Sequence, residues 1–285
     1  LSVTPLFDTH AHIITDDVVG YPPSPISGRL REGVLDNPMT AERLLGEMDA
    51  RGVTRAALVQ RAHVYGYDNS YVINAAARYP DRFGAICVID SIAPNAAARA
   101  AHWMDRGAVG IRLTEPAKGA DGEWLMGSEA RAVWAAVAKS NRTISIQLYT
   151  WNRAERMPEI GPVAADFAAT PVIVEHLSNI AEQPDGPDFG VDAALDALAD
   201  VDNILLKLTT INLARCRTNG VDATALLSRL AARFGHDRLI WGSDVAQSPQ
   251  DYADMTAMAR AAVEGLGEAA AAAILHDTAE RLFVR

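Results

Sequence analysis

Cysteine is almost missing from this 285-residue chain, with Cys87 and Cys216 the only two. They lie far apart, and Cys87 sits inside an apolar run. Two thiols cannot make a disulfide framework, so a reducing compartment is expected. Positive charge is also scarce: 26 Lys and Arg against 36 Asp and Glu leave a net charge of −10. That sign is wrong for tracking phosphates or for docking on an anionic bilayer, so neither nucleic acid nor membrane is an expected partner. No apolar run approaches the ~18 residues of a membrane span. A basic stretch followed by an apolar one is absent too, so no signal peptide is read. The expectation is a cytoplasmic protein. One domain over residues 1–285 is also expected, because a closed α/β barrel typically takes about 250 residues.

What the chain does contain is a repeated alternation. Short β-type runs at 6–13, 56–60, 84–89, 109–113, 143–149, 171–177, 203–208 and 238–243 are separated mostly by Ala-rich helical segments. Most of the runs are continuously apolar, as in parallel strands buried on both faces. Helix ends are marked as well. Thr40 is a candidate N-cap for a segment ending at Gly52, and Pro80 stops the helix over 69–79. Pro94 and Gly107 bracket a third helix, and Ser128 is a candidate cap for a fourth. Asp277 with Glu280 reads as a capping box for the last. Eight strand–helix units predict an α/β fold of the (β/α)8 TIM-barrel type.

Loop lengths are asymmetric. Helix-to-strand links are short, whereas the strand-to-helix links 14–39, 114–127, 178–190 and 209–222 are long. In a barrel the long set gathers at the C-terminal face, where active sites of this fold lie.

Polar residues stand at the predicted strand tips. In Leu6-Phe7-Asp8-Thr9-His10-Ala11-His12-Ile13, residues two apart share a face, so His10 and His12 project together, with Asp8 expected one step deeper on that face. His176 ends the run from Val172, and Asp244 ends the run from Leu239. Barrel closure places the first strand beside the eighth, bringing Asp244 to the histidine pair. Three imidazoles and a carboxylate make an N/O donor set suited to zinc or a similar ion.

These motifs, FDTHAH at 7–12, VQRAHVYGYDN at 59–69, GIRL at 110–113, EHL at 175–177, LLKLT at 205–209, LIWGSD at 239–244 and AERLF at 279–283, resemble the amidohydrolase superfamily. The resemblance is to its lactone-hydrolysing and decarboxylating branch, most of all the 2-pyrone-4,6-dicarboxylate lactonase and 4-sulfomuconolactone hydrolase group. It implies a distorted barrel of the amidohydrolase type, with His10, His12, His176 and Asp244 as metal ligands and Asp244 as general base. The fifth strand carries no Lys or His, which implies one divalent ion rather than two: zinc, with manganese as the alternative. Some lactonases of the group work without metal, and the four residues would then act by hydrogen bonding and proton transfer.

Several residues are candidates for substrate. Arg112, at the fourth strand tip, is placed to clamp a carboxylate, against the alternative of an ion pair with an acid such as Glu115. His63 and Tyr65 follow the second strand and either reach substrate or order the loop. Tyr149 is a candidate donor, and Arg215 or Arg217 stands where the family places a carboxylate-binding arginine. Lys207, in the seventh strand, is read as structural. The expected activity is hydrolysis of a lactone or similar cyclic ester bearing a carboxylate, with metal-activated water. A non-oxidative decarboxylase of an aromatic or muconate-type acid is the alternative, although no histidine follows the seventh strand; a non-catalytic binding barrel is the remote one. The expected partner is a small-molecule carboxylate or lactone; the sequence is compatible with a homo-oligomer but does not specify one.

Overall fold

The computed structural model describes residues 4–115, 118–119, 123–186 and 188–284. Parts of the predicted links 114–127 and 178–190, namely residues 116–117, 120–122 and 187, lie outside that set. Eight strands, β1 (Leu6–Ala11), β2 (Val53–Val59), β3 (Phe83–Val88), β4 (Ala108–Thr114), β5 (Thr143–Gln147), β6 (Val172–Val174), β7 (Ile204–Thr209) and β8 (Leu239–Gly242), pair in sequence order. All seven pairings are parallel. The sheet closes where the tip of β1 meets the residues after β8: Asp244 N–H donates to His10 O at 2.7 Å and His12 N–H to Val245 O at 3.3 Å. The (β/α)8 barrel expected from the alternation is present. No helix among the described residues is long and apolar enough to cross a membrane.

Burial on both faces explains the apolar strands. One face packs against the surrounding helices in the large core that includes Leu6, Leu58, Cys87, Ile144 and Trp241. The other face fills the barrel. Phe7, Ala57, Val59, Ile86, Ile173, Leu205 and Ile240 form a floor, covered by Leu282 and Phe283 of the last helix. Above this floor the inward positions turn polar, with His10, Arg112, Ser145, Gln147 and Lys207 all buried. Both cysteines are free and buried, and burial raises both thiols.

Four local expectations need correcting. A register shift between Asp8 and Ala11 puts three steps of β1 against two of β2. That bulge breaks the two-residue alternation, so Asp8 does not share the face of His10 and His12. Its carboxylate instead accepts from Tyr252 Oη at 3.0 Å and Ser243 N at 2.8 Å, on the helix side. Second, the 209–222 link contains a helix, Thr210–Asn219, started by a reciprocal capping box between Thr209 and Asn212. Third, β6 stops at Val174 because residues 176 to 179 all have φ between 48° and 55°, which ends extended pairing. Fourth, Ser128 is already the first helical residue behind Gly127, and Asp277 continues a helix rather than capping one. Thr40 does cap its helix, accepting from Arg43 N at 3.2 Å.

The closing seam needs glycine at 242. A Cβ there would lie 2.4 Å from His10 Cβ and 2.7 Å from His10 N, closer than atoms can pack. Gly242→Ala is therefore expected to cost about 1–3 kcal/mol by overpacking, read as a lower denaturant midpoint. An unchanged midpoint would show that the β1–β8 approach is not tight.

Candidate functional site

His10 projects inward because the bulge in β1 turns it there, and β8 reaches it because residue 242 has no side chain. His12 follows two residues on. His176 and Asp244 each occupy a left-handed backbone conformation, φ 53° and 59°. Non-glycine residues avoid this region, at a cost of about 1–2 kcal/mol each. At both strand tips this turn sends the chain away while the side chain stays over the barrel. The turn at His176 is held by its surroundings: Asn212 Nδ2 donates to His176 O at 3.0 Å, Arg153 Nε to Ser178 O at 2.7 Å, and Asn179 Nδ2 to Leu148 O at 2.7 Å.

The sequence-predicted group converges. His10, His176 and Asp244 offer donor atoms all within 4.8 Å of one another, and each residue is buried. His12 lies outside that trio, but its Nε2 is 3.4 Å from Asp244 Oδ1. His10 Nε2 is 3.6 Å from the same oxygen. Asp244 Oδ2 accepts from Ser248 Oγ at 2.9 Å.

Hydrogen-bond partners assign the tautomers. His12 Nδ1 lies 2.7 Å from Val59 O, which only accepts, so Nδ1 carries the proton. His176 Nδ1 lies 2.7 Å from Thr209 Oγ1, whose own proton points to Asn212 Oδ1. His10 Nδ1 lies 3.3 Å from Glu175 Oε1. Burial lowers all three imidazoles, His10 well below its ordinary value and His176 to about 4, so they are neutral near pH 7. Each then has its Nε2 lone pair open. Burial pushes the Asp244 carboxyl up, and His12, His176 and His10 hold it below the usual carboxylate range only when they turn a proton, not a lone pair, toward it. Lone pairs facing a carboxylate repel unless a proton or a cation lies among them. Among the described residues the buried His10 Nε2 has no hydrogen-bond partner, which is the orphan expected of a metal ligand.

Beneath the group lies a charge cluster that motif reading did not single out. Glu175, fully buried, accepts from Arg112 Nε at 2.5 Å and Lys207 Nζ at 3.3 Å, besides facing His10. Burial raises its carboxyl, but Arg112, His10 and Lys207 reverse the effect and hold it well below the ordinary range. Arg112 thus pairs with Glu175 rather than Glu115, and a terminal nitrogen donates to Gln147. Its guanidinium is largely committed inside the protein. Lys207 faces the barrel interior, with Nζ 3.4 Å from His10 Nδ1. The available signal was chemical: a glutamate within a buried apolar run requires cations.

The other candidates separate. Tyr65 is buried and its hydroxyl accepts from Thr15 N at 2.9 Å, so it orders the first loop. His63 is exposed and lines a cavity with Arg61. Tyr149 stacks on the exposed Trp151 at 4.1 Å and accepts from Thr114 Oγ1 at 3.3 Å. Arg215 and Arg217 sit on the helix Thr210–Asn219, not in a loop. Arg215 donates to Asn179 Oδ1 at 3.1 Å, while Arg217 lines a separate hollow with Gln250 and Asp254. Arg61, not a candidate from sequence, is buried beside the group; it donates to Gln247.

A family model described as amidohydrolase matches residues 7–285. No curated protein matches. Among solved structures, an amidohydrolase from Burkholderia multivorans with bound zinc superposes with a TM-score of 0.74 at 18% identity, over 98% of this chain and 99% of that one. A probable 2-pyrone-4,6-dicarboxylic acid hydrolase from Acinetobacter baumannii with citric acid bound gives 0.73 at 18%, over 98% of both. A 5-carboxyvanillate decarboxylase from Novosphingobium aromaticivorans, complexed with manganese and 4-hydroxy-3-methoxy-5-nitrobenzoic acid, gives 0.67 at 14%, over 98% and 96%. At such identities the likeness establishes the fold.

Two outcomes follow from the electrostatics. Glu175→Gln leaves two buried cations facing a neutral amide and is expected to cost about 3–5 kcal/mol in chemical unfolding; a change under about 0.5 kcal/mol, the size of an ordinary surface substitution, would mean that the cluster is already balanced without it. Second, unfolded His176 binds a proton near pH 6.5 while the folded form does so only near 4. In chelator-treated protein, stability should therefore be full above pH 6.5 and fall, by on the order of 3 kcal/mol, as pH drops toward 4. His176→Gln should flatten that slope.

Proposed function

The chain belongs to the amidohydrolase family, and from that premise and the site geometry we propose that it hydrolyses a lactone or similar cyclic ester carrying at least one carboxylate. The observation that carries this reading is the set of neutral imidazoles turned on the ionised Asp244, with His10 Nε2 unpartnered. His10, His176 and Asp244, joined by His12, would hold one divalent ion, for which an imidazole–carboxylate donor set suits zinc; the ion would polarise the scissile carbonyl and acidify water.

The chain's own groups do the rest. Asp244, fixed through Ser248 and through its backbone bond to His10, takes a proton from the attacking water and returns it to the ring oxygen as the carbonyl C–O bond breaks. The product is the open hydroxy acid or its keto tautomer. Glu175, gripped by Arg112 and Lys207, orients His10 so that Nε2 faces the reacting centre. Thr209 and Val59 do the same for His176 and His12.

The decarboxylase alternative would use the same group. The helix that follows β7, Thr210–Asn219, contains no histidine to act on a departing carboxylate, which favours hydrolysis. A panel of carboxylated lactones and aromatic acids, followed for ring opening and for CO2, decides between them. Ring opening without CO2 is expected, with a loss of at least about 10²-fold for Asp244→Asn, the scale of a removed general base. Full activity in Asp244→Asn would end the reading. Elemental analysis of purified protein should find about one divalent ion per chain, lost in His10→Ala.

A further inference from the structure

Arg61 is a buried cation that the mechanism above does not use. It continues the inward-facing alternation of Ala57 and Val59 one step past β2, which carries its side chain to the barrel mouth. It is 6% exposed. Among the described residues its guanidinium has one hydrogen-bond partner, the neutral amide of Gln247, and its buried Nε has none. Among the described residues no carboxylate lies within ion-pair distance of it, whereas Arg112 and Lys207 share Glu175. Burial lowers the guanidinium to about 10, so it stays charged at neutral pH. Its charge reaches Asp244 and His12.

The space around it suits an anion. Arg61 lies where two cavities, of about 620 and 770 Å3, share a wall. Among the described residues the smaller is lined by Arg29, Arg31 and Arg61 with Glu32 as the only acid. The larger includes residues 245 to 248, the segment just after Asp244. A ligand carboxylate on Arg61 would thus stand on the β1–β2–β8 side of the reacting centre. A buried, charged fork without an acid is costly unless a ligand completes it, and a guanidinium meets a carboxylate in two parallel hydrogen bonds.

We propose that Arg61, braced by Gln247, is the specificity-determining anchor for a substrate carboxylate, so that the enzyme selects acids over the corresponding esters. This rests on the hydrolase reading for the word substrate, but binding can be measured without turnover.

The probes are isophthalate and its dimethyl ester, titrated calorimetrically into the purified holoenzyme. Wild-type protein should bind the diacid at least tenfold more tightly than the diester. Arg61→Gln should erase that preference while leaving diester affinity within twofold, and Arg61→Lys should restore part of it. Gln247→Glu keeps the arginine but supplies an internal carboxylate, so it too should weaken diacid binding tenfold or more; this variant covers the case in which Arg61→Gln fails to fold. Equal diacid affinity in wild type and Gln247→Glu, or a wild type that does not prefer the diacid, overturns the proposal. On any lactone acid found to be a substrate, Arg61→Gln should raise KM at least tenfold with kcat within threefold. A fall in kcat alone would assign Arg61 a structural part. If no lactone is opened yet the diacid preference follows Arg61, the hydrolase reading fails and the anchor stands.

Discussion

A single buried carboxylate organises the mouth of this barrel. Glu175 lies at the end of β6 with no exposure to water, and its ionisation depends on Arg112 from β4, Lys207 from β7 and the imidazole of His10 from β1. Removing that carboxylate would leave two cations stranded in a medium that solvates them poorly. The arrangement therefore ties four strands at one level, directly above an apolar floor that has no directional preference of its own. Packing sets the diameter of the barrel; this cluster sets the angular position of the polar residues around it.

The same layer absorbs backbone strain. Residues 176 to 179 form a short left-handed turn without a glycine, and Asp244 adopts the same conformation across the barrel. Such geometry persists only where neighbours over-determine it. Asn212, Arg153 and Asn179 do so through side-chain bonds to backbone carbonyls. Rigid orientation of His176 is thus achieved by contacts from the segment that follows β5 and from the helix after β7, not by local propensity.

Much of this was legible in the residues. Eight apolar runs with asymmetric links specify a barrel, and polar residues at strand tips specify its working face. His10, His12, His176 and Asp244 stand out because a polar side chain ending an apolar strand needs a reason. What escaped was set by tertiary contact. The bulge that turns Asp8 outward leaves no trace in a two-residue alternation. The helix Thr210–Asn219 is rich in Thr, Asn and Arg, so its period is faint, and its start rests on a capping box with Thr209. Arg112 pairs with an acid 63 residues away, which local charge patterning cannot foresee. Arg61 follows an apolar strand as His176 does, yet a lone arginine after a strand is ordinarily solvated.

The seam between β1 and β8 also has a consequence for the order in which the molecule is made. His10 leaves the ribosome long before Asp244, yet they are backbone partners. A nascent chain that stops short of β8 holds two imidazoles of the cluster on one open edge and lacks the carboxylate that completes it. Completion of the donor set thus coincides with closure of the ring, so a partial barrel has no finished centre to misuse.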